Sequence, residues 1–116
     1  MTSDPLESLI ARYRAAAVRH GEGKSPRTVN KAADEIASVY RELRALGADA
    51  VARLLPLFDD PSASVRCWAA AHTLDYVPER ATNVLEAMAV EGPTPAIRID
   101  AEMTLRMWRA GRLRFP

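Results

Sequence analysis

The chain reads as an all-α protein, a single domain over residues 1–116 with about six helices paired as three antiparallel hairpins. Three observations predict this. Apolar residues recur at helical spacing in every long segment, and nowhere do they alternate with the period of two that a half-buried strand requires. Four places join a capping residue to proline, at Asp4-Pro5, Ser25-Pro26, Asp60-Pro61 and Thr94-Pro95, which is how helices begin. The links between the periodic segments are short, so consecutive helices must lie side by side.

Helix one opens at Ser3-Asp4-Pro5, where a Ser or Asp side chain accepts from free backbone amides and proline fits the first helical position. Leu6, Leu9, Ile10, Tyr13 and Ala17 share one face, and Gly21 ends the run. Ser25-Pro26 starts helix two, whose stripe of Val29, Ala32, Ala33, Ile36, Val39, Tyr40, Leu43 and Leu46 continues to Gly47, a left-handed terminator. A third helix follows with Asp49 as its cap and Val51, Leu54, Leu55 and Phe58 as its apolar positions. Pro56 inside it removes a helical hydrogen bond, which predicts a short or bent rod. Asp60-Pro61 turns the chain into helix four, with Val65, Trp68, Ala69 and His72 on one face and Cys67, Ala70, Ala71, Leu74 and Val77 on others. A helix that is apolar nearly all round is covered on more than one side. Val77-Pro78-Glu79 begins helix five, with Ala81, Val84, Leu85, Met88 and Ala89 as its stripe, and Gly92-Pro93 stops it. Helix six runs from about Ala96 to Ala110, and Ile97, Ile99, Ala101, Met103, Leu105, Met107 and Trp108 form one broad face ahead of Gly111.

A chain of 116 residues buries roughly two-thirds of its unfolded surface, enough for a core without disulfides or metal. With 48% hydrophobic and 27% charged residues, neither disorder nor a membrane span is indicated. Residues 1 to 9 include Asp4 and Glu7 and lack the basic start and apolar middle of a secretory signal, so a cytoplasmic protein is expected. The single cysteine, Cys67, excludes an internal disulfide. The net charge of +1 hides an uneven spread: residues 1–33 and 98–116 each carry +3, and the stretch between them carries −5. An acidic middle of this kind argues against a nucleic-acid groove.

Leu54-Leu55-Pro56-Leu57-Phe58-Asp59-Asp60-Pro61, then Val65-Arg66, then Ala69-Ala70-Ala71-His72-Thr73-Leu74, resembles a HEAT repeat. In that family an apolar first helix ends in an Asp-Pro turn and the second opens with Val-Arg and continues through alanines. The resemblance is strongest over 48–77; 1–47 reads as a capping hairpin and 78–116 as a degenerate C-terminal repeat. Together with Asp100-Ala101-Glu102-Met103-Thr104-Leu105-Arg106-Met107-Trp108, the pattern is similar to a family of small bacterial HEAT-like proteins catalogued as a domain of unknown function. The resemblance implies an α-solenoid and carries no activity with it.

The residues that carry chemistry elsewhere have plainer uses here. Gly21-Glu22-Gly23-Lys24-Ser25 ends like a phosphate-binding loop, but the glycine that motif needs is replaced by Val18, and the segment follows a helix instead of a strand. Cys67 and His72, five apart, point in different directions on a helix, which excludes joint metal chelation and a nucleophile–base pair. His72 is expected to be buried and bonded to backbone or carboxylate, and a buried network with Asp100 and Glu102 is one way to satisfy it. Asp60 is expected to cap helix four and meet Arg66. Trp68 and Trp108 read as core residues or as aromatic anchors for a partner. Arg106, Arg109, Arg112 and Arg114 complement the negative end of helix six.

These readings converge on a protein–protein interaction module without catalytic activity, metal or cofactor, whose inner surface is built by helices two, four and six. An immunity or antitoxin-like protein and an adaptor are its two concrete forms. The alternative is a HEAT-like protein that binds nucleic-acid phosphates. Arg66, Trp68, His72, Asp100, Glu102 and Trp108 are the candidate interaction or structural polar residues. The stack's open end is expected to be covered by homodimerisation through helix six or the tail Leu113–Phe115.

Overall fold

The computed structural model describes residues 4–115; Ser3 as a first cap, and the beginning of the segment read for a secretory signal, lie outside them. The helices are α1 (Pro5–Glu22), α2 (Pro26–Leu46), α3 (Ala48–Val51), α4 (Ala63–Thr73), α5 (Pro78–Glu91) and α6 (Pro95–Arg109). No strand occurs among the described residues. The predicted capping residues act as expected at three starts. Asp4 accepts from the Leu6 amide at 3.0 Å, Ser25 from Thr28 at 3.2 Å and Thr94 from Ile97 at 3.2 Å. At the end of α6, Gly111 takes φ +70°, and the amides of Gly111 and Arg112 bond back to the Trp108 and Met107 carbonyls, a Schellman turn that reverses the chain.

Other local expectations are corrected. Asp49 does not cap α3: Gly47 holds that position with φ +111°, and Asp49 lies in the first turn. The bend expected from Pro56 takes the form of a 3₁₀ segment, Ala52–Asp59, which continues α3 without a break and satisfies the backbone around a residue with no amide hydrogen. Gly21 does not end α1, which runs on to Glu22. Gly21 serves packing instead, since a Cβ there would lie 2.7 Å from the Ser64 Cβ on α4. The broad face of α6 divides into a buried half, with Ala101 and Leu105, and an exposed stripe of Ile99, Met103 and Met107.

Consecutive elements pack together, α1 on α2, the 3₁₀ segment on α4, and α5 on α6, and α4 lies at the centre against α1, the 3₁₀ segment, α5 and α6. The expected inner surface of α2, α4 and α6 is therefore altered: α1 is α4's main neighbour from the first pair, and α2 reaches α4 through Tyr40. One core joins all of these elements, with Tyr13, Ile36, Leu43, Leu54, Leu74 and Leu85 fully buried. The radius of gyration is 13.5 Å, matching the ~13 Å of a compact globule of this length and leaving no drawn-out superhelix.

Candidate functional site

The polar part of the centre is built on His72 near the end of α4. Its Nδ1 shares a 2.6 Å hydrogen bond with the Tyr13 hydroxyl of α1, and its ring stacks on Tyr40 of α2 with centroids 3.9 Å apart and planes 5° from parallel. The Tyr40 hydroxyl donates to the His72 carbonyl at 3.2 Å. Burial holds the His72 imidazole at a pKa of about 3, with the Arg44 charge adding to the effect, so the ring is neutral near pH 7. Burial, with Tyr40 contributing, raises the Tyr13 phenol well above its ordinary range. The cluster therefore holds two neutral groups in one satisfied contact and has no charge to offer a substrate.

Beside it lies an apolar groove of about 580 Å³, walled by α6 along one side and by α4 and the end of α1 along the other. Ile97, Met103 and Met107 line it from α6, Cys67, Trp68 and Ala71 from α4, and Leu113 and Phe115 from the segment after α6. His20 closes the far end, with its ring edge-on to Trp68 at 5.1 Å. Asp100 adds one carboxylate to the lining, and that carboxylate makes no hydrogen bond or ion pair among the described residues, although the Asp100 carbonyl accepts from the Thr104 hydroxyl at 2.7 Å. Burial pushes the Cys67 thiol up to about 11, Asp100 reinforcing this and Arg66 opposing it, so the sulfur stays protonated at neutral pH. Among the described residues no three His, Cys, Asp or Glu side chains are grouped to hold a metal ion.

The turn before α4 is a second polar centre. Burial alone would raise the Asp60 carboxyl. The Arg14 guanidinium, which grips it at 2.6 and 3.3 Å, and the Ser62 amide at 2.9 Å outweigh that and hold its pKa below the usual carboxylate value. Asp60 thus does not cap α4, a role taken by Ser62. Nor does its carboxylate meet Arg66, which instead donates to the Asp60 and Pro61 carbonyls at 2.5 and 3.1 Å.

The sequence-derived residues are scattered over these places. Trp68 lines the groove and His72 lies behind it, while Arg66 braces the Asp60 turn. Trp108 packs partly buried against the core and donates to Asp75 at 3.4 Å. The expected buried network of His72, Asp100 and Glu102 is not formed: both acids are exposed, and Glu102 pairs with Arg106 one turn along α6 at 3.1 Å. The hydrogen-bond partner of His72 is a phenol, neither backbone nor carboxylate. Sequence reasoning missed Tyr13, Tyr40, His20, Arg14 and Phe115 as members of these sites. The signal that was available is that two tyrosines on the apolar stripes of α1 and α2 each carry a hydroxyl that must find a partner once buried.

A family model described as Domain of unknown function (DUF2019) matches residues 7–108. The crystal structure of the protein RPA1889 from Rhodopseudomonas palustris CGA009 is similar to this fold with a TM-score of 0.85; the two chains are 28% identical, and the match covers 97% of this chain and 98% of that one. No curated protein matches the chain in sequence.

Proposed function

The chain belongs to the DUF2019 family of unknown function, and from that premise we propose that it is a cytoplasmic protein-binding module without catalytic activity, whose groove takes an amphipathic helix of another protein. One observation carries the reading: the apolar groove is continuous with an unpaired stripe on α6, in which Ile99, Met103 and Met107 are 54, 56 and 40% exposed at successive turns. Adaptable methionine side chains beside an aromatic anchor suit a peptide surface, and leaving them in water is unfavourable. The pairing of neighbouring helices and the Asp-Pro turn braced by Arg66 support a short HEAT-like arrangement as the scaffold. An immunity-type protein and an adaptor both fit this mode of binding; a toxin-domain gene next to this one would favour the first. Phosphate-backbone binding has less support, because Arg106 and Arg109 of the basic end are paired with Glu102 and Glu86 at 3.1 and 2.6 Å.

The test is affinity capture from the native host with wild-type protein and with a Met103→Glu/Met107→Glu variant, followed by calorimetry on the recovered protein. A one-to-one complex that the double variant loses is the expected result. Equal binding by the variant, or retention of nucleic acid with steep salt dependence, would remove the groove from consideration.

A further inference from the structure

Building on the protein-binding reading, we propose that the segment after α6 is a latch filling one end of the groove, and that the partner helix displacing it carries an aromatic anchor and, two turns along, a basic residue that meets Asp100. The Schellman turn at Gly111 sends the chain back over α2 and α4. Phe115 then lies edge-on to His72 at 4.4 Å and to Tyr40 at 5.9 Å, while its carbonyl accepts from Arg44 at 2.7 Å. Leu113 is half-buried beside it, and both side chains line the groove. The latch is therefore an apolar occupant already seated in cis, showing that this end accepts an aromatic ring. It is tethered by one exposed side-chain hydrogen bond and two half-buried residues, which makes it displaceable.

Charge defines the rest of the occupant. Besides His20, whose pKa is lowered by burial against the opposing effect of Asp100, Asp100 is the ionisable carboxylate on the groove wall, and no cation of the described chain neutralises it. Asp100 and Met107, which stands at the latch end, are seven residues apart on α6, or about 10 Å along its axis. A partner helix laid along α6 spans the same distance in seven residues, so an anchor and an arginine or lysine at that spacing reach the two ends together.

The test uses fluorescence anisotropy with a labelled synthetic helix carrying Phe and Arg seven positions apart on a leucine face. It is titrated with the full chain, with Leu113→Ala/Phe115→Ala, and with Arg44→Gln, which removes the tether at an exposed position together with the guanidinium's contact over the Tyr40 ring at 5.1 Å. Both latch variants should bind about tenfold more tightly than wild type, because an occupant tethered in cis competes at high effective concentration. Replacing the peptide's Arg by Glu should weaken binding, and Asp100→Arg should restore it. Equal affinity for all three proteins overturns the latch, and indifference to the peptide's charge overturns the Asp100 contact. No binding to any of them overturns the helix chemistry while leaving the groove reading to stand on its own capture test, where sensitivity to Met103→Glu/Met107→Glu decides it separately.

Discussion

The two sides of α4 treat their side chains in opposite ways. Towards α1 and α2, His72 is bonded to Tyr13 and stacked on Tyr40, whose hydroxyl donates to the His72 carbonyl at 3.2 Å. Among the described residues no buried side-chain nitrogen or oxygen lacks a partner. Towards α6, Cys67 and Trp68 are only half-covered and face a groove whose other wall bears exposed methionines. Polar groups enter the interior of a small domain when their hydrogen bonds are replaced inside, because an unpaired buried group costs about 1–3 kcal/mol. Apolar groups need only be hidden, and on the groove side they are not fully hidden. The sealed side contributes most to stability, and the open side leaves apolar surface in water.

The contrast can be broken by mutation. His72→Ala should have the largest effect, since it opens a cavity under two aromatic rings and strands the Tyr13 hydroxyl; a loss of roughly 3 kcal/mol is expected in denaturant unfolding. Acid probes the same residue. A folded-state pKa of about 3, against the ordinary 6.5, means the unfolded chain binds the extra proton between those values. Stability is therefore fully present above pH 6.5 and falls as the pH drops towards 3, by at most about tenfold in the folding equilibrium constant per pH unit. In His72→Ala this component should vanish, leaving only the acid losses of carboxylates such as Asp60, whose lowered pKa places its contribution further down in pH. Tyr13→Phe keeps the ring and removes only the hydroxyl, so about 1–2 kcal/mol should be lost, measurable as a shift in urea midpoint. On the open side, Met103→Gln should change stability by less than about 0.5 kcal/mol in the same measurement, since the residue is 56% exposed. A large loss there would show that the methionine is structural and would erase the difference between the two sides.

Much of the architecture is legible in local pattern. Asp4, Ser25 and Thr94 cap helices through amides two or three residues away, and Gly111 terminates α6 through bonds spanning a single turn. Those interactions lie within reach of the residues that make them, so composition and spacing suffice to place them. The apolar stripes of α1, α2 and α5 likewise name most of the buried residues on those helices, because helical periodicity decides which residues share a face. Periodicity does not say whether a face is covered. On α6 it merged Ala101 and Leu105 with Met103 and Met107, and only the position of α5 and α4 separates the buried pair from the exposed one.

The sites lie beyond local reach. Arg14 finds Asp60 across 46 residues, Tyr13 finds His72 across 59, and Arg44 finds the Phe115 carbonyl across 71. For two of these the sequence offered a nearer partner: Arg66 for Asp60, and Asp100 or Glu102 for His72. Which candidate wins depends on where α1 and the segment after α6 come to rest against α4, and that is settled by burying many apolar side chains at once. The helices and most of their ends follow from residues a turn apart, whereas the pairing of polar groups and the opening of a groove follow from packing, in which the whole core acts together.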